Sequence, residues 1–297
     1  MRRQVVEIAQ RGLQNQPSTE LETLRAVVLE EAGIEGVELR TVQVLPSEAP
    51  SDPIAFLAVQ GRRIAEAIAE VVRAGEPVLV LGGNCTCLSG VIGGLQRGLG
   101  PTTRIGLVWF DAHGDFNTPQ TTPSGMLGGM PVAVSAGLCY PEWREGSYQH
   151  CPLPTDRIVM VDVRNLDPDE ERLIRWTGIT VVPVNPEQVA AAARWLAERV
   201  DLVYLHIDLD VLNDSLVPTH RTREPHGPDV AQTLRAISAV VETGVVRAIG
   251  LVSVYADGEE GETTLRSATQ LLRGFLRLWH PRTIKALQPR AADNPVP

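Results

Sequence analysis

Acidic side chains cluster in two short segments that could hold metal ions. Segment 111–115 reads DAHGD and segment 208–210 reads DLD, so carboxylates and one imidazole recur at alternate positions. In extended backbone, alternate side chains project to the same side, so each segment presents its ligand groups together. Four carboxylates held close together require a cation to offset their repulsion. Oxygen-rich ligation with one imidazole favours Mn²⁺ over Zn²⁺, and a binuclear centre can generate hydroxide at neutral pH.

Both segments directly follow apolar runs that are typical of buried strands. IGLVWF precedes the first and LVYLHI the second, while VLVLG leads into a third polar segment, GGNC at 82–85. Strands that are apolar throughout are covered on both faces, as in a parallel sheet. Because ligands bind at the carboxyl ends of such strands, we expect the three segments to meet at one edge. For DAHGD alone the alternative is a set of polar groups that cap helices, and the matching DLD argues against it.

Apolar, β-branched runs alternate with helical patterns along the sequence, which predicts βαβ units and one α/β domain over 1–297. The predicted strands are 5–8, 37–44, 77–82, 104–111, 157–164, 179–184, 202–210 and 246–254. The predicted helices are 20–32, 53–74, 86–98, 168–176, 186–200, 228–243 and 262–278. Asp52 is the predicted N-cap of the second helix, with Pro53 at its first position.

Composition excludes several classes of protein. The 297 residues carry a formal net charge of -9, which disfavours a nucleic-acid partner. No apolar run reaches the ~18–20 residues of a membrane span. The first residues, MRRQVVEIAQ, lack the apolar region of a secretory signal. Four cysteines are too few for a disulfide scaffold in a chain this long, so we expect a reducing, cytoplasmic location.

The three strand-end motifs resemble those of the ureohydrolase family, which comprises arginase, agmatinase and their relatives. The family carries G-G-D-H, D-A-H-x-D and D-x-D-x-x-D-P, and the corresponding segments here read GGNC, DAHGD and DLDVLND. FNTPQTTPSG at 116–125 and VRNLDPDE at 163–170 are similar to segments of the arginase branch. The resemblance implies a single-domain, three-layer α/β/α fold with an eight-stranded parallel sheet, in agreement with the eight strands predicted above.

The resemblance also implies roles for the metal-binding residues. Asp111 and Asp208 occupy positions that bridge two metal ions. Asp115 corresponds to a ligand of the first ion, and His113 and Asp210 correspond to ligands of the second. We also assign catalysis to Asp115 and His113.

Four further residues correspond to positions that hold an amino-acid substrate. Asn117 and Ser124 match contacts to the α-carboxylate, and Asp167 and Glu170 match contacts to the α-amino group. Each pair has a structural alternative, which is turn hydrogen bonding for the first and helix capping for the second.

Three departures from the family pattern affect the chemistry. Cys85 stands where the family has a histidine ligand of the first ion, and its thiolate is softer than Mn²⁺ prefers. The alternative is that Cys85 is a small buried residue that binds nothing. Gly128 stands where arginase has a proton-shuttling histidine, and Ser253 stands where the family has a glutamate that binds the guanidinium. Three glutamates lie shortly beyond and are alternatives for that role: Glu259, Glu260 and Glu262.

Three histidines near these motifs need separate interpretation. His206 lies within LVYLHI and is interpreted as a buried core residue. His220 and His226 lie in the loop after the second metal segment, where either could replace the missing proton shuttle or face solvent.

Together these observations predict a hydrolase that holds about one or two Mn²⁺ per chain and cleaves a C–N bond in a guanidino- or amidino-bearing α-amino acid. The alternative is a catalytically impaired, arginase-like protein that acts as a binding or regulatory subunit. Metal content distinguishes the two. Family members usually form trimers or hexamers, so the resemblance implies a homotrimer or homohexamer.

Overall fold

One parallel sheet forms the centre of the computed structural model, which describes residues 3–11, 16–18, 20–32, 36–280 and 284–285. The strands are β1 (Arg3–Ile8), β2 (Gln10–Arg11), β3 (Gln16–Pro17), β4 (Val37–Val42), β5 (Val78–Gly82), β6 (Ile105–Phe110), β7 (Ile158–Val161), β8 (Thr180–Val182), β9 (Leu202–Asp208) and β10 (Val246–Val252). Eight of them form the sheet in the order β4-β1-β5-β10-β9-β6-β7-β8, with every neighbouring pair parallel. The short strands β2 and β3 pair separately and antiparallel.

Helices cover both faces of this sheet. They are α1 (Leu21–Ala32), α2 (Pro53–Arg73), α3 (Leu88–Leu99), α4 (Pro131–Ser135), α5 (Pro141–Gly146), α6 (Pro168–Trp176), α7 (Pro186–Ala197), α8 (Val230–Val241) and α9 (Gly261–Leu278). The apolar side chains of α1, α7, α8 and α9 form one core with the sheet, and those of α2 and α3 form a second core on the other side. The predicted three-layer α/β/α architecture with an eight-stranded parallel sheet is therefore confirmed. That 1–297 is a single domain stays a prediction.

Local sequence signals account for several element ends. Asp52 caps α2, because its carboxylate accepts a hydrogen bond from Ala55 N at 2.7 Å, and Pro53 occupies the first turn as predicted. The predicted strand 157–164 ends instead at Val161, because Asp162 has a φ of 67° and turns the chain out of the sheet. The helix predicted from residue 86 begins at Leu88, after a turn of 3₁₀-helix.

The hairpin of β2 and β3 and the helices α4 and α5 were not predicted. Two-residue strands and helices of five or six residues are too short to show a hydrophobic period.

The order of the strands decides where the polar segments lie. Strands β5, β10, β9 and β6 are consecutive neighbours at the centre of the sheet. Because all four run in the same direction, their carboxyl ends meet at one edge. The segments that begin at residues 82, 253, 208 and 111 are therefore brought together, as expected for a parallel sheet.

Candidate metal centre

The turn after β5 brings Cys85 over the end of the sheet. Gly82 has a φ of 80°, and a Cβ there would lie 2.8 Å from the backbone oxygen of Ile8, so only glycine fits this turn without strain. Asn84 then caps the short turn at Cys85–Cys87 by accepting a hydrogen bond from Thr86 N at 3.2 Å. These contacts fix the backbone that carries the Cys85 thiol.

The two acidic segments are held by hydrogen bonds to their own backbone. Asp111 accepts from His113 N at 2.7 Å, and Asp208 accepts from Asp210 N at 3.0 Å. Asp210 also accepts from Ala112 N at 3.2 Å, which links the end of β9 to the end of β6. One oxygen of each carboxylate is therefore hydrogen-bonded to the backbone. The acidic groups converge from two neighbouring strands.

A cavity of about 450 Å³ opens over this sheet edge. It is lined by every residue that the sequence assigned to metal, catalysis or substrate: Cys85, Asp111, His113, Asp115, Asn117, Ser124, Asp167, Glu170, Asp208, Asp210 and Ser253. Gly128 also lines it, whereas Glu259, Glu260 and Glu262 do not. Among the candidates for the guanidinium-binding position, Ser253 is therefore the one at the cavity.

The first cluster joins Cys85, His206 and two aspartates. The Cys85 thiol donates to Asp208 Oδ2 at 2.9 Å and lies 3.5 Å from Asp111 Oδ2 and 3.4 Å from His206 Nε2. One ligand atom from each of the four residues lies within 4.8 Å of all the others. His206 is fully buried, as predicted for a core residue, but it also contacts this cluster, which the sequence interpretation did not foresee.

The second cluster consists of Asp111, His113 and Asp210. His113 Nδ1 lies 3.0 Å from Asp210 Oδ2 and 3.3 Å from Asp111 Oδ1. Its other nitrogen, Nε2, lies 3.0 Å from Glu224 Oε1, which also accepts from Asn165 Nδ2. Glu224 therefore orients the His113 ring, in the way that carboxylates orient metal-binding histidines.

The third cluster consists of Asp208, Asp210 and His220. The sequence left open whether His220 faces solvent, and the structure shows that it is 7 % exposed and lines the cavity. Its Nδ1 lies 2.9 Å from the backbone oxygen of Thr222, while its buried Nε2 has no hydrogen-bond partner and lies 3.4 Å from Asp208 Oδ1. His226 is exposed and does not line the cavity.

Charge in the cluster is unbalanced. Burial, together with Asp210 and Asp208, raises the pKa of Asp111 well above its ordinary value, and burial likewise raises that of Asp115. Burial also raises the pKa of the Cys85 thiol, and neighbouring carboxylates raise it further. Burial lowers the pKa of His206 to about 3, so this ring is neutral at pH 7. A bound cation would remove the repulsion that causes the upward shifts.

Asp115 lies beside the clusters, and its charge helps to raise the pKa of the Cys85 thiol. It is buried on the cavity wall and has a φ of 47°, but it belongs to none of the three groups of potential ligands. The predicted first-metal set therefore differs from the observed cluster, in which His206 rather than Asp115 lies with Cys85. Its assignment as a first-metal ligand stays a prediction.

The predicted substrate contacts already have partners within the protein. Asn117 Nδ2 donates to Asp167 Oδ2 at 2.8 Å. Glu170 accepts from Phe116 N at 2.8 Å and from Asp167 N at 3.3 Å, so it belongs to the capping box at the start of α6. Ser124 is exposed in a turn, where its hydroxyl accepts from Met126 N at 3.2 Å. Both structural alternatives are thus realised, although all of these residues also face the cavity.

Arg164 joins the cavity wall to the rest of the fold. Its guanidinium donates to the backbone oxygens of Asp210, Val211, Glu224 and Pro225 at 3.0–3.1 Å. One side chain at the end of the β7 region therefore fixes both the turn that carries Asp210 and the loop that carries Glu224.

No helix in the described part of the chain combines the length and the apolar character needed to cross a membrane.

Comparison with known proteins agrees with this architecture. Residues 2–277 match the model of the family described as "Arginase family". The chain is 30% identical over 223 residues to the arginase of Bacillus caldovelox, and the match covers 73% of this chain and 74% of the relative. The solved structure of that Bacillus caldovelox arginase superposes with a TM-score of 0.79 and 25% identity over 93% of this chain and 98% of the relative. An Entamoeba histolytica arginase, solved in complex with L-ornithine, gives a TM-score of 0.80 and 21% identity over 93% and 99% of the two chains.

Proposed function

Because the chain belongs to the arginase family, we propose that it is a manganese-dependent hydrolase that cleaves a C–N bond in an α-amino acid with a guanidino or amidino head group. One observation carries the proposal. Buried carboxylates from two neighbouring strands converge with three imidazoles and a thiol beside a single cavity. A site that served only to stabilise the fold would not gather so many buried ionisable groups at one place.

The donor groups fit divalent cations. Asp111, Asp208 and Asp210 are nearly fully buried, and each of them belongs to two of the three clusters. The buried Nε2 atom of His220 makes no hydrogen bond and lies 3.4 Å from Asp208 Oδ1, so in the tautomer with the proton on Nδ1 it offers a lone pair to a cation. Asp111, His113 and Asp210 offer the oxygens and imidazole that suit Mn²⁺. Divalent ions at such a site supply Lewis acidity and lower the pKa of water.

Residues around the carboxylates would hold and protonate the substrate. Asp115 lies on the cavity wall with its pKa raised by burial, so we assign to it the transfer of a proton to the departing nitrogen. Asn117 and Asp167 are paired with each other, and together they offer an amide and a carboxylate to an amino acid's charged end. The relative solved with L-ornithine supports an amino-acid ligand.

Two residues argue against unmodified L-arginine as the preferred substrate. Gly128 leaves open space, since a Cβ there would lie 3.7 Å from Met126, its nearest neighbour. No imidazole at that position can carry protons, and Ser253 offers no charge to a guanidinium. Loss of a general acid or base costs ~10²–10⁴-fold in rate. We therefore expect urea release from L-arginine to be slower than that of an ordinary arginase by this factor, and an ordinary rate would contradict the specificity assignment.

The test of the proposal is metal-dependent turnover. Protein stripped with a chelator and reloaded with Mn²⁺, alone or together with Zn²⁺ or Co²⁺, is incubated with a panel of α-amino acids that carry substituted guanidines or amidines, and ornithine-type products are measured by mass spectrometry. Asp111→Asn is the inactive control. Turnover that requires metal and is absent in the control supports the proposal. Stoichiometric metal with no turnover on any member supports the alternative of a binding or regulatory protein. The predicted oligomer and cytoplasmic location stay predictions.

A further inference from the structure

The cluster around Cys85 contains a ligand set unlike that of the second cluster. We propose that Cys85, His206, Asp111 and Asp208 form a four-ligand site that selects Zn²⁺ or Co²⁺ over Mn²⁺, so that the protein holds two different metal ions. This inference rests on the proposed metal centre. It adds His206 as a ligand and assigns a different ion to each position.

The separations of the donor atoms match one small ion between them. In a tetrahedral site with bonds of ~2.0–2.3 Å, neighbouring ligand atoms lie ~3.3–3.8 Å apart. Cys85 Sγ lies 3.4 Å from His206 Nε2 and 3.5 Å from Asp111 Oδ2. The shorter separation of 2.9 Å, to Asp208 Oδ2, is a hydrogen bond through the thiol proton. A metal ion would displace that proton, because the thiolate rather than the thiol is the ligand.

His206 is held in the orientation that a metal ligand needs. Its ring stacks on Trp109 with centroids 3.8 Å apart and planes 5° from parallel. Its Nδ1 lies 2.9 Å from the hydroxyl of Tyr204, and Tyr204 in turn contacts the Cys87 thiol. When Nδ1 donates to Tyr204, Nε2 presents its lone pair toward Cys85. Metal-binding histidines usually have such a partner on the second nitrogen.

Ligand softness then distinguishes the two positions. One thiolate and one imidazole with two carboxylates suit Zn²⁺ and Co²⁺. Asp115 acts on the Cys85 thiol through its charge, but its oxygens lie outside the group of four ligand atoms. The second position combines His113 with Asp111 and Asp210, a harder set that suits Mn²⁺. The competing explanation is that His206 only supports the Cys85 side chain by a hydrogen bond and binds no ion.

Cobalt provides the direct test, because a thiolate bound to Co²⁺ gives a charge-transfer band in the near ultraviolet. Metal-free full-length protein is titrated with Co²⁺ alone, alongside Cys85→Ser and His206→Asn. The matched controls are Cys139→Ser and His226→Asn, which change the same residue types outside the clusters. We expect the band in the wild type and both controls, none in Cys85→Ser, and at least tenfold weaker cobalt binding in His206→Asn. Cobalt bound without the band would overturn the proposal.

A second measurement avoids dependence on variants that fold poorly. Wild-type protein is equilibrated with equal concentrations of Zn²⁺ and Mn²⁺, and its metal content and zinc X-ray absorption spectrum are recorded. The proposal requires one zinc with one sulfur and at least one imidazole ligand, together with manganese elsewhere. Manganese at both positions contradicts it, even when the protein hydrolyses guanidino acids. Conversely, the expected zinc spectrum without hydrolysis sustains the site and rejects the proposed function.

Discussion

Cys85 marks the largest chemical difference between this site and the family pattern. Its thiol lies among carboxylates, and the pKa of the thiol is raised. A metal ion must therefore compete with a tightly held proton on the sulfur. We expect Cys85→His to raise the manganese content toward about two ions per chain, because imidazole suits Mn²⁺ better than thiolate does. Elemental analysis of dialysed protein measures the change. If a wild type that already holds one ion gains none, Cys85 does not lie at a metal.

Asp208 and Asp167 line the same cavity but are expected to act differently. Asp208 belongs to two clusters of potential ligands, whereas Asp167 is the N-cap of α6 and accepts from Asn117. We expect Asp208→Ala to abolish metal binding and Asp167→Ala to preserve it, with a loss of about 0.5–1.5 kcal/mol in unfolding free energy from the lost hydrogen bond to Asn117. Calorimetric titration of the two folded variants with metal distinguishes the two roles. Equal loss of metal in both variants would show that the roles are misassigned.

Most residues of the three clusters of potential ligands could be predicted because they follow apolar strands at alternate positions. The same alternation continues backward through β9, so that Tyr204, His206 and Asp208 share one side of the strand. The alternation alone does not distinguish a potential ligand from a core residue, because the sequence of an apolar strand does not show which side chain a histidine contacts. The positions of Glu224 and His220 could not be predicted from the sequence. Their contacts depend on how a loop folds back onto β6 and β9, which no local pattern encodes.

At the scale of elements, close packing of α2 on α3 sets the position of the Cys85 turn. Helix α3 begins directly after that turn, and a Cβ at Gly90 would lie 2.6 Å from the backbone oxygen of Gly61 on α2. We expect Gly90→Ala to lower the unfolding free energy by about 1–3 kcal/mol, because the backbone contact cannot relax cheaply. Chemical denaturation measures the loss. Gly36→Ala is the control, since its Cβ would meet only Ala32 at 3.8 Å. Similar stability of both variants would contradict the argument.

The stability of the whole molecule should depend on pH without metal and lose that dependence when metal is bound. Burial lowers the pKa of His113, but its bonds to Asp111 and Asp210 outweigh this and leave the pKa above its ordinary value of 6.5. The pKa of Asp111 is also raised, mainly by burial. The folded, metal-free protein therefore retains the His113 proton that the unfolded chain releases above pH 6.5, and the Asp111 proton that the unfolded chain already releases above pH 3.8. His206, with its pKa lowered to about 3, opposes this trend only below pH 6.5, where the unfolded chain gains a proton.

We therefore expect the metal-free protein to lose stability as pH rises above about 6.5, by up to ~1.4 kcal/mol per pH unit for each proton retained. Saturating metal should remove this decline, because the ligands are then deprotonated in the folded state. Urea denaturation between neutral and mildly alkaline pH, with chelator or with metal, measures both curves. Parallel curves would show that the acidic clusters are not where the metal binds.

The hydrogen bonds of Arg164 constrain substitutions on one side of the cavity more than on the other. On one side, the planar guanidinium of Arg164 donates hydrogen bonds to carbonyl oxygens of two separate loops. A substitution of Arg164 would therefore disturb both loops at once. On the other side, Ser124 and Met126 lie in an exposed turn, and Met126 is 62% exposed. New head-group preferences should therefore arise by substitution in that turn, while the Arg164 side preserves the chemistry that all such substrates share.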